Sequence, residues 1–221
     1  MPSASTNETK PAGRGDEKLF LVIVLALAAI AGLGSWFAAD ALKRHDDLRE
    51  IQPDKPRRLE NFSLTDSAGR EVTRADFDGK FLAVSFLFTS CSLTCPEVTK
   101  RMAEIQNLTA TNDDVRLLSL TVDPRTDTPP VLAKWGTRFS ADTNRWRLLT
   151  GDKAQLHWLI GTSFLATETN NPFNSMPGNF AGTERIAVVD QHGNVRTFFD
   201  GLRVETPAAV VAEIEKLRKE K

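Results

Sequence analysis

The stretch Phe86-Leu87-Phe88-Thr89-Ser90-Cys91-Ser92-Leu93-Thr94-Cys95-Pro96-Glu97 decides the reading of this chain. It holds both of the protein's cysteines, directly behind an apolar run from Phe81 to Phe88. Thr94 is placed to act as an N-cap with Glu97 three residues on, the pattern of a capping box. Pro96 is tolerated in a first helical turn, where its missing N–H is not needed. Val98, Met102, Ile105 and Leu108 then recur at helical spacing. The segment therefore predicts a buried strand giving way to a helix, with Cys91 in the joining loop and Cys95 in the first turn. Unpaired N–H groups at a helix start favour thiolate over thiol. Thiolate is the form that attacks disulfides and binds soft metals. Two thiols four residues apart at such a turn can meet the Cα separation of about 5.5 Å that a disulfide prefers. They can equally converge on one Cu(I). The plainer alternative is a pair of small buried hydrophobes.

Outward from this junction, strands alternate with helices. Leu59 to Thr65 reads as a strand, Ser67-Ala68-Gly69 as a turn and Glu71 to Thr73 as the returning strand. The helix from Pro96 runs to about Thr109, and Val115 to Val122 is apolar enough for a central strand. Thr128 caps a helix that begins at Pro129 and carries the stripe Val131, Leu132, Trp135 and Phe139. Trp146, Leu148 and Leu149 mark a short strand, and Asp152 caps a helix through Ile160. A long irregular stretch, Ser163 to Thr183, follows. Ile186–Val189 and Val195–Phe199 flank the turn Asp190-Gln191-His192-Gly193-Asn194. A final amphipathic helix starts at Thr206-Pro207 and uses Val210, Val211, Ile214 and Leu217. This order gives an α/β sandwich with a mixed central sheet, the thiols at the carboxyl end of a central strand.

The 221 residues carry a formal net charge of −1, which argues against nucleic acid as a partner. There is neither a Gly-rich phosphate loop nor an HExxH-type zinc motif. Two cysteines make one pair, not a disulfide scaffold. Residues 1–18 are small, polar and charged, and predict a disordered segment. Residues 19–39, Leu19 to Ala39, carry no charge and predict a transmembrane helix with Trp36 and Phe37 near its end. Ala39-Asp40-Ala41 loosely fits a signal-cleavage site, but the apolar run exceeds the roughly 7–15 residues of a signal peptide, which favours an uncleaved anchor. Lys10, Arg14 and Lys18 before the span balance Lys43, Arg44 and Arg49 after it, so charge does not set orientation. The thiol pair points to an oxidising compartment. The expected organisation is a single-pass membrane protein with a charged tether at 40–58 and a globular domain at 59–221 on the periplasmic or extracytoplasmic side.

From about Phe62 to Leu217 the chain resembles the Sco/SenC family of membrane-anchored, thioredoxin-like proteins. Three segments carry the resemblance: Phe86–Pro96 with its CxxxCP; Ser119-Leu120-Thr121-Val122-Asp123-Pro124-Arg125-Thr126-Asp127-Thr128-Pro129; and Trp146–Gly151 with the hairpin Ile186–Gly193. The resemblance implies a thioredoxin-like sandwich and copper handling or thiol–disulfide exchange in support of cytochrome c oxidase copper-centre assembly. It implies a copper site made of Cys91, Cys95 and a histidine eight residues before the Asp of the hairpin turn. That position is Gly182, between Ala181 and Thr183, so the family's histidine is missing.

A third ligand would have to come from elsewhere in the chain. His157 lies in a predicted helix, His192 in the hairpin turn and His45 in the tether, and each has an ordinary structural reading. Met176 offers a thioether suited to Cu(I), in a loop expected to pass over the thiols. Asp123 and Asp127 would lie near the thiols at the end of the next strand; either Asp123 tunes the thiols or assists metal uptake, or both carboxylates bond backbone N–H groups in a Pro-rich turn. Three functions follow. The first is a thiol–disulfide oxidoreductase with Cys91 as attacking thiolate and Cys95 as resolving thiol, acting on exported thiol proteins such as an oxidase subunit. The second is a copper metallochaperone using Cys91, Cys95 and an unidentified third ligand. The third, a thiol peroxidase, would want Thr or Ser three residues before the reactive cysteine, where this chain has Phe88.

Overall fold

In a computed structural model, the described residues are 57–164 and 184–220, the strand Arg49–Ile51 and scattered helical positions between 23 and 32. They belong to two compact units, Met1–Asp46 and Asp47–Lys221. In the first, Ile23, Leu25, Leu27 and Ile30 are helical with exposed side chains. Most of the expected 19–39 span lies outside the described residues, and among those described no helix is long and apolar enough to cross a membrane.

The second unit is built on one mixed sheet. Its described strands are β1 (Arg49–Ile51), β2 (Arg57–Arg58), β3 (Ser63–Asp66), β4 (Glu71–Thr73), β5 (Phe81–Leu87), β6 (Val115–Thr121), β7 (Trp146–Thr150), β8 (Arg185–Val189) and β9 (Asn194–Asp200). Its helices are α1 (Thr94–Leu108), α2 (Pro129–Arg138), α3 (Lys153–Phe164) and α4 (Thr206–Arg218). The strand order is β1-β9-β8-β5-β6-β7-β3-β4, with β2 also on β9. β5, β6 and β7 are parallel, and the flanking pairs β5–β8 and β3–β7 are antiparallel.

Every residue of β5 is buried, as its unbroken apolar run requires when both sheet faces are covered. Leu82, Val84 and Phe86 face a core closed by Leu156, Ile160 and Phe164 of α3. Phe81, Ala83 and Leu87 face a second core with Met102 of α1, Trp135 of α2 and Val210 of α4. Alternation along one strand thus feeds two cores.

Several local expectations shift. Asp152 does cap α3, its Oδ1 accepting the Gln155 N–H at 2.9 Å, but the helix continues to Phe164. In the β8–β9 turn Asp190 accepts the His192 and Asn194 N–H groups, each at 2.9 Å, and Gly193 takes a φ of 82°. The stretch read as a tether supplies β1 and β2, both antiparallel to β9. Backbone pairing there needs no apolar signature, which is why charged residues concealed it.

Candidate thiol site

The register of the sheet sets the site's position. β5, β6 and β7 end at the same edge, so the loops after Leu87, Thr121 and Thr150 share it. The Asp190–Asn194 turn follows Val189, which pairs with Leu82 near the start of β5, and so lies at the opposite edge. His192 is exposed there and is not brought to the thiols.

Cys91 and Cys95 are both free thiols; Cys91 is half-buried and Cys95 is 1% exposed. The Cys91 N–H donates to the Phe88 carbonyl at 3.1 Å, closing the loop into a turn. The helix begins at Thr94, two residues before Pro96, with Leu93 as its N-cap. The Thr94 hydroxyl does not cap the helix. It lies 3.3 Å from the Cys91 sulfur, and the Cys95 N–H donates to the same sulfur at 3.3 Å. The sulfur thus takes the acceptor role that a capping oxygen plays elsewhere. Glu97 instead pairs loosely with Arg101 at 3.8 Å.

These contacts divide the two thiols. Burial pushes the Cys91 thiol up, but the Thr94 hydroxyl, the Cys95 N–H and thiol and the Leu93 backbone together outweigh it and bring the group down to about 7. Burial pushes the Cys95 thiol up, the neighbouring Cys91 adds to this, and contacts with the Phe88 backbone and Thr94 offset only part, leaving it at about 12. One sulfur is accessible and ionises near neutrality; the other stays protonated in the core.

The fully buried Asp127 reaches into this loop from the β6–α2 connection. It accepts the Thr89 N–H at 3.1 Å and the Thr89 hydroxyl at 2.5 Å, as well as the Thr121 hydroxyl. The carboxylate therefore bonds the Cys91 loop and the end of β6, and not the N–H groups of its own Pro-rich turn that the local reading expects. Asp123 is half-exposed, and its carbonyl accepts the Asp127 N–H at 2.9 Å. His157 of α3 is half-exposed with Nε2 at 3.3 Å from the Val122 carbonyl. Below the thiols, Thr99 donates to the Cys95 carbonyl at 2.7 Å and accepts from the Trp135 indole at 3.1 Å, tying the first turn of α1 to α2. Sequence spacing gives no sign of the Thr94, Thr89 and Thr99 contacts, since threonine is ordinary at helix starts and in loops.

Two adjacent sulfurs suit Cu(I), which favours soft ligands at low coordination. Among the described residues no group of three or more His, Cys, Asp or Glu side chains is placed to hold a metal ion. His45, Met176 and Gly182 lie outside the described residues.

A mixed α/β sandwich with a thiol pair at the strand-to-helix junction defines a thioredoxin-like protein. The SCO1/SenC family model matches residues 51–219, and the chain belongs to that family. It is 34% identical over 94 residues to the SCO1 protein homolog of Bacillus subtilis, covering 42% of this chain and 49% of that one. The chain spans about half the length of the curated relatives it matches. Among solved structures, BsSco, described as a member of the Sco family of cytochrome c oxidase assembly proteins with a disulfide switch, superposes with a TM-score of 0.65 at 23% identity, covering 78% of this chain and 100% of that one. ScoI of Bradyrhizobium japonicum, solved with copper bound, gives a TM-score of 0.58 at 25% identity over 72% of this chain and 98% of that one.

Proposed function

We infer that this protein is a membrane-tethered Sco-type thiol–disulfide oxidoreductase that keeps the copper-site cysteines of an exported oxidase subunit reduced. The observation that carries this is the split between an accessible, ionisable Cys91 and a buried, protonated Cys95. The Cys91 thiolate attacks one sulfur of a partner's disulfide. A mixed disulfide forms, and the partner's other sulfur leaves and takes a proton. Cys95 then loses its proton as its sulfur attacks Cys91, expelling the second partner sulfur as a thiol. The partner gains two electrons and two protons, and this chain is left with a Cys91–Cys95 disulfide. Family membership and the assembly role described for BsSco support the oxidase as destination. The N-terminal apolar span supports the anchor, and the thiol pair supports an extracytoplasmic domain.

The second reading, a copper metallochaperone, is favoured by the convergence of two sulfurs and by copper in the Bradyrhizobium relative. Copper is then the cargo, held by Cys91 and Cys95 with a third ligand unassigned. Full-length reduced protein in detergent, freed of metal, separates the two readings. Exchange predicts stoichiometric reduction of a disulfide peptide, lost in Cys91→Ser. Absence of reduction, together with tight one-to-one Cu(II) binding and a sulfur-to-copper charge-transfer band, would overturn it in favour of the metallochaperone.

A further inference from the structure

Asp127 is fully buried, yet its bonds reach beyond its own turn. Its carboxylate sits between two loops at the thiol edge. On one side is Thr121, the last residue of β6, whose hydroxyl donates to Oδ2 and whose oxygen also accepts the Asp123 N–H at 3.0 Å. On the other is Thr89, two residues before Cys91, which gives its N–H at 3.1 and 3.3 Å to the two oxygens and its hydroxyl at 2.5 Å to Oδ1. The next two links in the loop are the Cys91 N–H to the Phe88 carbonyl at 3.1 Å and the Cys95 N–H to the Cys91 sulfur at 3.3 Å. A buried carboxylate held by neutral donors is stable only while those donors stay in place, so the geometry is mutually enforcing.

The geometry assigns Asp127 as a positioning residue for the thiol pair, acting through Thr89 to clamp the Cys91 loop against the end of β6. This rests on the thiol-exchange reading and deepens it. The Cys91 sulfur must stay poised over Cys95 while it is bonded first to a partner and then to Cys95. A loop without the clamp carries the sulfur away from Cys95 and lowers the effective concentration of one thiol toward the other. Charge is not what the clamp needs. Asn at 127 keeps one acceptor for Thr89 and can turn its amide to the Thr121 oxygen, whereas Ala keeps neither.

The test is the equilibrium between full-length protein in detergent and glutathione. In it the protein dithiol gives two electrons and two protons to glutathione disulfide, forming the Cys91–Cys95 disulfide and two glutathione thiols. The equilibrium constant reads the effective concentration of the pair. Asp127→Ala is expected to lower it at least fivefold, Thr89→Val at least twofold, and Asp127→Asn less than twofold. The denaturation midpoint, followed in parallel, reports any general loss of stability, which alone would not separate Asn from Ala. If Asp127→Ala does not fold, Thr89→Val and Asp127→Asn carry the comparison. Values for Thr89→Val and for folded Asp127→Ala indistinguishable from the parent would overturn the assignment. Failure of the exchange reading looks different: the parent would form its disulfide with glutathione but leave a disulfide peptide untouched.

Discussion

At the scale of residues, the protein makes two different acids from one amino-acid type by changing what surrounds each sulfur. Cys91 lies where N–H and O–H donors converge; Cys95 lies where the helix presses it into apolar core. A thiol held down to about 7 gains thiolate as pH rises through that value. Alkylation of Cys91 by iodoacetamide should therefore climb between pH 6 and 8 (about one unit either side of the midpoint) and level off above. Cys95, pushed up to about 12, should stay unmodified in the native state across that range, as mass mapping of the labelled sites would show. Thr94→Val removes the hydroxyl beside the Cys91 sulfur while keeping the side chain's shape. The midpoint should move up toward the ordinary thiol range, and labelling at pH 7 should slow severalfold, with the Cys95 N–H and thiol and the Leu93 backbone still in place. Unchanged labelling would show that the hydroxyl contact contributes nothing.

At the scale of elements, the central strands are tied to one another by buried side chains, and the thiol-bearing helix is met closely by the end of β9. Ser85 and Ser119 are registered neighbours on β5 and β6, their hydroxyls 2.7 Å apart, and Ser119 accepts the Trp146 indole at 2.9 Å. Ser119→Ala leaves both partners buried without a bond, so urea denaturation should show a loss of about 1–3 kcal/mol. Gly201, just past β9, is a close-approach glycine. A Cβ there would sit 2.5 Å from the Glu184 carbonyl oxygen and 3.2 Å from both Val98 methyls, and Val98 is in α1 three residues after Cys95. Gly201→Ala should lower the denaturation midpoint by the equivalent of about 1–3 kcal/mol. It should also expose Cys95 to alkylation, because the displaced neighbour belongs to the same turn. A destabilised variant with Cys95 still protected would separate the turn from the thiol.

At the scale of the whole molecule, the alternating pattern of the chain is enough to read an α/β sandwich and to put both cysteines at its carboxyl edge. The buried runs Phe81–Leu87 and Val115–Thr121 announce central strands because sheets covered on both faces have no polar side to show. The pair itself is legible because the backbone donors of a helix start favour thiolate, so two cysteines at such a junction point to sulfur chemistry. What stays hidden depends on geometry between distant segments. Thr94 reads as a cap by spacing, yet its hydroxyl turns to sulfur; Asp127 reads as a turn former, yet it reaches a loop 38 residues away. The edge strands β1 and β2 pair through backbone alone, which charge patterning does not reveal.

The central claim is that Cys91 attacks and Cys95 resolves, and one trapping measurement reaches it directly. In full-length Cys95→Ser, a mixed disulfide cannot be released from within. Incubated near pH 7 with a disulfide-bearing peptide, this variant should accumulate a one-to-one covalent adduct, reversible by dithiothreitol and mapped by mass to Cys91. The parent should turn the same peptide over without retaining it. An adduct on native Cys91→Ser of equal yield, or no adduct on Cys95→Ser until it is unfolded, would contradict the account.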